Sequence, residues 1–393
     1  MESTATSNLI YSSDFEKGEY QLLELATPEL QEVFKPGGQS VFIKGLPDEE
    51  AVLCTNARTY QVRQVHTSNS MLLISKNEET IDDVDQYLVH DDISNYVELA
   101  PTIPRLNRID ELLMQAPYAG TKKDSNYDHT QKLYTYNDIL SVVQASESEL
   151  IDGLEQKSVF GYGGYMRMFD RDYLLGLLDA FFTNASFHSK DLQHITLGEV
   201  KQCITEERQG LRMQGLIEDE DLSDPILLAC INHFVTDKIG TKDNHDDTVV
   251  RFDEAKVCRF LGEWLLIDAQ NKSYENWELS YFMKMWKTLS LNLFEPKLEY
   301  IEGLYKLTEI TKVQKVEQHI SYFPVSALPM DPARRFAVLF GAKEFWSAEE
   351  ITPFLSDLAP KSKERENLLL KFARMRKEND KVLYASRINK KKK

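Results

Sequence analysis

Cysteine is scarce in this 393-residue sequence: only Cys54, Cys203, Cys230 and Cys258 are present, far apart and with no C-x-x-C pair. That spacing argues against a zinc knuckle or a redox dithiol and fits reduced core thiols in the cytosol or nucleus. No apolar run approaches the roughly 20 residues that span a bilayer, so no integral membrane segment is expected. The opening MESTATSNLIYSSDFE has neither a basic n-region nor a long apolar h-region, so secretion is not expected. Catalytic signatures are missing too. There is no G-x-x-x-x-G-K-S/T for ATP, no G-x-S-x-G nucleophile elbow and no H-E-x-x-H zinc pair. Gly161, Gly163 and Gly164 lack the G-x-G-x-x-G spacing and predict a hairpin turn instead of a phosphate loop. The cluster Asp243, Asn244, His245, Asp246, Asp247 does not match an EF-hand and predicts a solvated acidic loop. His188 and His194 flank a polar loop and are expected to be ordinary histidines. The expectation is therefore no catalytic site, no metal and no cofactor.

Hydrophobic residues make up 42% and charged residues 28%, the balance of a folded chain long enough for two to four domains. The net charge of −17 is unevenly spread. Residues 1–100 carry 18 acids and 6 bases, whereas residues 361–393 carry 4 acids and 13 bases. An acidic body with a basic end points to two kinds of partner.

The first hundred residues read as strands. Residues 51–74 contain two alternating runs, through Ala51 and Leu53 and then Tyr60, Val62, Val65, Met71 and Leu73, joined by a polar turn at Cys54–Thr59. Period two marks strands that bury one face. Tyr20–Leu25, Val41–Lys44, Gln86–Val89 and Tyr96–Leu99 add further strands, with a short helix at Glu29–Phe34. Such a unit has edges to manage, by closing a barrel or by pairing with another chain. The strands named as candidates for partner pairing carry Val41, Ile43, Val52, Leu53, Tyr60, Val62, Val65, Met71, Leu72, Leu73 and Ile74.

After Pro104 the period changes to 3.6, with Leu106, Ile109, Leu112 and Leu113 on one face. A polar linker at Tyr118–Gln131 follows. Capping boxes at Thr135-x-x-Asp138 and Ser146-x-x-Glu149 then open two short helices, and Val159–Phe169 reads as a hairpin. Helix, turn, helix, hairpin is the order of a winged helix-turn-helix. The grammar recurs at Thr196-x-x-Glu199, at Asp224-Pro225 and with a strand at Thr248–Phe252. It continues through Asp253–Ala269, Tyr281–Leu289, a helix over Leu298–Leu304 and a strand at Ile320–Val325. Asp331-Pro332 and Ser347-x-x-Glu350 open the last group. The acidic stretches Glu218–Asp224 and Asp243–Asp247 would repel phosphate from the second unit.

A final helix is expected over Lys363–Lys377 and a final strand over Lys381–Arg387. On that helix Leu368, Phe372 and Met375 share one face, and Lys371, Arg374 and Lys377 another. Lys361, Lys363, Arg365, Lys371, Arg374, Arg376, Lys377, Lys381 and Arg387 are the candidate DNA-binding residues, because lysine and arginine release counterions on binding phosphates. Lys390–Lys393 extend the charge, and a solvated helix with a nuclear-import tail is the alternative reading.

GEYQLLEL at 18–25, SVFIKG at 40–45, residues 51–74 and the terminal KVLYASR together resemble the Dcc family of sister chromatid cohesion proteins. This family supplies a subunit of the alternative replication factor C clamp loader. The resemblance implies an α+β chain, with an N-terminal β-rich, barrel-forming domain followed by tandem winged-helix domains. It implies that the barrel is shared with a small partner subunit and the tail of the large ATPase subunit. It further implies association with the replication factor C small subunits, with DNA polymerase epsilon and, indirectly, with the sliding clamp. Double- and single-stranded DNA would be bound by the winged helices, in the nucleus. The expected divisions are residues 1–102, 103–170, 171–272 and 273–393. Other readings remain: a winged-helix transcription regulator, a protein-binding scaffold, or an enzyme whose site leaves no sequence motif.

Overall fold

Alternation does set the N-terminal strands, and turn chemistry joins them. A computed structural model describes residues 7–13, 15–47, 49–77, 86–121, 132–192, 194–218, 222–240, 245–271, 277–312, 315–378 and 381–387. Asp243, Asn244, Lys390–Lys393 and most of the expected linker lie outside the described residues. The chain divides into two units, residues 1–110 with 134–156, and residues 111–133 with 157–393.

In the first unit β1 (Asn8–Tyr11), β2 (Leu22–Glu24), β3 (Phe42–Lys44), β4 (Val52–Cys54), β5 (Thr59–Lys76) and β6 (Gln86–Pro101) form one sheet. Its order is β1-β6-β5-β4-β3, with β2 also on β6. β5 and β6 form a long antiparallel ladder from Tyr60–Pro101 to Lys76–Tyr87, whereas β1 and β2 join β6 in parallel. The expected pair of short strands at 86–89 and 96–99 is thus one strand of 16 residues. No described strand links the two ends of this order, so the sheet is open. Barrel closure, expected from the resemblance, is not reached by this chain's own described strands. The polar turn needs no glycine, because Thr55 Oγ1 accepts from the amides of Ala57 (3.3 Å) and Arg58 (3.0 Å). The core is small: Leu30 of α1 (Pro28–Val33) packs with Leu53, Tyr60 and Leu99.

α2 (Asn107–Leu113) follows the sheet. α3 (Tyr136–Val142) and α4 (Glu147–Gln156) start at the two expected capping boxes and belong to the first unit. Lys44 holds them there. Its buried Nζ donates to the carbonyls of Val143 (3.3 Å) and Ala145 (2.7 Å). Gln144 Nε2 donates back to the carbonyls of Lys44 and Glu50, and Thr59 Oγ1 donates to Glu149 at 2.6 Å.

In the second unit β7 (Phe160–Tyr162) and β8 (Tyr165–Arg167) form the expected hairpin, with Gly163 and Gly164 at φ 60° and 86°. A two-residue turn with both φ values positive selects glycine there. α5 (Arg171–Phe187) is a 17-residue helix with a wide buried face and a narrow exposed stripe through Asp172, Asp179, Thr183 and Ser186, and Asp170 caps it. β9 (Ile195–Thr196), α6 (Leu197–Met213), α7 (Asp224–Phe234) and β10 (Val249–Val250) follow, with β10 paired to β9. One apolar core runs from Tyr118 to Ile320 and includes Cys203, Cys230 and Cys258. Burial pushes the thiols of Cys230 and Cys258 up to about 12, so both are inert.

Two later stretches share one order of elements. In the first, α8 (Glu254–Asn271), β11 (Trp277–Glu278) and α9 (Leu279–Leu289) lead through a 3-10 turn to β12 (Tyr305–Lys312) and β13 (Lys315–Tyr322). In the second, α10 (Pro332–Ala342), β14 (Trp346–Ser347), α11 (Ala348–Ile351) and α12 (Ser362–Phe372) lead to β15 (Ala373–Glu378) and β16 (Lys381–Ser386). Both sheets place the two-residue strand beside the last strand of the hairpin. Gly262 lets α8 approach its neighbours, since a Cβ there would lie 2.7 Å from the Trp286 ring.

Two expectations fail here. Leu298–Leu304 is a 3-10 turn over Leu298–Ile301 followed by a turn into the strand at Tyr305, not a helix. The last helix stops at Phe372, not Lys377. Ala373 takes extended angles (φ −117°, ψ 159°), and β15 pairs with β16 over six residues. Strand pairing satisfies the backbone groups of residues 373–378 that face β16 and outweighs their helical spacing.

Candidate functional site

β5 is the longest strand, and β4 pairs with only its first three residues, Thr59–Gln61. From Arg63 to Lys76 its outer edge meets no other strand among the described residues. Along the same stretch the side chains are exposed or half-buried, including three consecutive apolar residues, Leu72, Leu73 and Ile74. Across β6, the edge strand β1 exposes Leu9, Ile10 and Tyr11. At the opposite end of the sheet β3 exposes Phe42 and Ile43, the latter 73% accessible. From Arg63 onward neither face of β5 is therefore fully covered within the described residues. An unpaired edge with contiguous exposed apolar residues is a template for added strands.

The candidate partner residues thus separate into two groups. Val52, Leu53 and Tyr60 are buried within this chain, with Val41 and Val62 against the same small core. Ile43, Leu72, Leu73 and Ile74 are exposed, and Val65 and Met71 are half-buried. On β6, Asp91 is a buried carboxylate that ties the β1–β2 connection to the sheet by accepting from the amides of Gly18 and Tyr20, both at 2.9 Å. Those backbone donors hold its pKa below the usual carboxylate value. Neither Asp91 nor Lys44 carries a sequence motif; their only signal is a charged residue in an otherwise strand-forming run.

The basic candidates also separate. Arg365 donates to the carbonyls of Ala359 (3.0 Å) and Pro360 (2.6 Å). Arg374 Nε donates to Ser386, and Arg387 donates to Ala373 and Lys371, so both tie the hairpin together. Arg376 lies over the Phe345 ring at 5.4 Å, and Lys361 pairs with Glu364 at 3.6 Å. Lys363, Lys371 and Lys377 are exposed, and Lys381 begins β16. Because β15 is a strand, Lys371, Arg374 and Lys377 do not share the helical face expected of them. Among the described residues no group of three or more histidine, cysteine or acidic side chains could hold a metal ion. No described helix is long and apolar enough to cross a membrane.

The family model described as "Sister chromatid cohesion protein Dcc1" matches residues 20–355. The chain belongs to the Dcc1 family. It is 29% identical to sister chromatid cohesion protein DCC1 of Mus musculus over 382 residues, covering 94% of this chain and 88% of that protein. The Homo sapiens protein of that name is 28% identical, over 94% of this chain and 89% of its own length. The Saccharomyces cerevisiae one is 23% identical, over 94% and 96%. The Dcc1 match takes in β2 to β14, and so the open edge of β5. The basic hairpin of β15 and β16 lies beyond it.

Proposed function

We propose that this chain is a non-catalytic adaptor of the alternative replication factor C clamp loader, acting in the nucleus in DNA replication and sister chromatid cohesion. The open outer edge of β5 carries the reading. A strand of 18 residues with one long unpaired edge and exposed apolar side chains asks for further strands. The partner strands come from the large ATPase subunit and the small subunit of that loader, and they complete a barrel of which this chain supplies one part. Each half-exposed apolar side chain covered in this way contributes roughly 1 kcal/mol. The repeated order of helix, short strand, helix, helical segment and hairpin supports winged helices at 254–322 and 332–386. These face double- or single-stranded DNA and DNA polymerase epsilon, and bring the replication factor C small subunits to the sliding clamp.

Hydrogen exchange tests the co-folding. The full-length chain is compared alone and co-expressed with the two partner segments. The alternate amides of residues 63–76 that point to the open edge should exchange fast alone and become protected in the complex, while those bonded to β6 serve as the internal control. Equal protection in both, with no binding of the segments, would sink the proposal.

A further inference from the structure

We infer that a groove in the last helix–sheet unit docks an extended acidic peptide bearing aromatic side chains. The groove lies between α10 and the start of β15, with a volume of about 1070 Å³. Phe340, Phe345, Phe372 and Met375 line it, above the buried Phe336. Met375 is 63% exposed although it sits on a strand beside the core, and Ala337 on the open side of α10 is exposed as well. Aromatic side chains from a ligand would find rings on the floor of this groove; Phe336 and Phe372 are already stacked with centroids 5.3 Å apart.

Charge selects the ligand's sign. Arg374 and Arg376 line the groove, with one acid, Glu344, and with Lys343 engaged by Glu350. Lys371 and Lys377 adjoin it in sequence, and residues 361–393 carry 13 bases against 4 acids. β15 then sets the ligand's conformation. It pairs with β16 on one side, and no described strand occupies its other edge. Main-chain donors and acceptors on that edge recognise an extended chain, while alternate side chains enter the groove. Duplex DNA matches the charge but gains nothing from an apolar floor.

Panning a phage-displayed library of random twelve-residue peptides against the full-length chain tests this, with the Gly341→Phe chain as counter-selection. A Cβ at Gly341 would meet no atom within 4 Å, so the added ring fills the groove and leaves the core alone. Ala337→Glu is the second variant, placing a like charge before an acidic ligand. The selected peptides should carry several acids around two large aromatic residues. Their synthetic forms should lose about tenfold in affinity on either variant and weaken as salt rises. Binding of a 30-base-pair duplex should stay the same for the Gly341→Phe chain, which changes no charge. Peptides without acids, or no groove-dependent enrichment, would overturn the inference. So would displacement of the peptide by oligothymidylate that depends on an open groove, which would assign the site to single-stranded nucleic acid. Dimerisation of the native chain that Gly341→Phe abolishes would assign it to a second copy and overturn the inference likewise.

Discussion

His233 sits near the end of α7 against Phe234 and Phe260, with ring centroids 4.7 Å and 5.8 Å away. Burial lowers its pKa to about 4, and Lys238 and Lys256 push in the same direction. The ordinary value is about 6.5, so between these limits the unfolded chain binds a proton that the folded chain refuses. The stability this histidine contributes is complete above pH 6.5 and lost as pH falls through 4, up to about 3 kcal/mol. Thermal midpoints of the native chain should fall faster over that window than those of His233→Phe. Parallel curves would show that other groups govern the acid transition. Arg335 illustrates a different economy of charge. It is fully buried in the last unit, yet donates to the carbonyls of Pro329 (2.8 Å) and Phe354 (2.9 Å) and pairs with Asp357. Neither residue stands out in the sequence, because isolated polar residues acquire meaning only from what folds around them.

Elements with local causes were legible. Capping boxes at Thr135, Ser146, Thr196 and Ser347 start helices where the spacing requires, since each cap needs only four residues. α5 escaped the pattern because its exposed stripe, through Asp172, Asp179, Thr183 and Ser186, is narrow and leaves little amphipathic period to detect. The hairpin of β12 and β13 was hidden by a run in which Leu307, Ile310 and Val316 fit no alternation. The open edge was half legible: alternation named β5, but which residues β4 leaves uncovered depends on strand length and register. At the basic end, the change from helix to strand redefines the DNA experiment. Lys363→Glu, Lys371→Glu and Lys377→Glu together should weaken duplex binding. The slope of log affinity against log salt should shrink by about 2 to 3 units if each lysine meets a phosphate. An unchanged slope would mean that these lysines are merely solvated. Arg387 belongs to another class, since its guanidinium holds Ala373 and Lys371 together.

The first unit is discontinuous: residues 1–110 and 134–156 belong together, with residues 111–133 assigned to the second. A boundary at residue 102, the natural reading of the strand-to-helix change, cuts away α3 and α4. That leaves the Lys44 ammonium without the Val143 and Ala145 carbonyls, and burial already lowers its pKa. Truncation also removes the Gln144 bonds to Lys44 and Glu50 and the Thr59–Glu149 bond, and leaves only the small core of Leu30, Leu53, Tyr60 and Leu99. The fragment 1–102 should therefore lack a cooperative urea transition, whereas 1–156 should show one. A cooperative 1–102 would mean that the helix pair is dispensable.

The exposed run Leu72-Leu73-Ile74 on the open edge bears on how the chain is supplied. A chain that shows such a run whenever it stands alone is also what chaperones and proteases look for. If partner strands cover it, the amount of this chain in a cell follows the amount of those partners. Excess copies would then be removed instead of accumulating, and assembly itself would set the chain's lifetime.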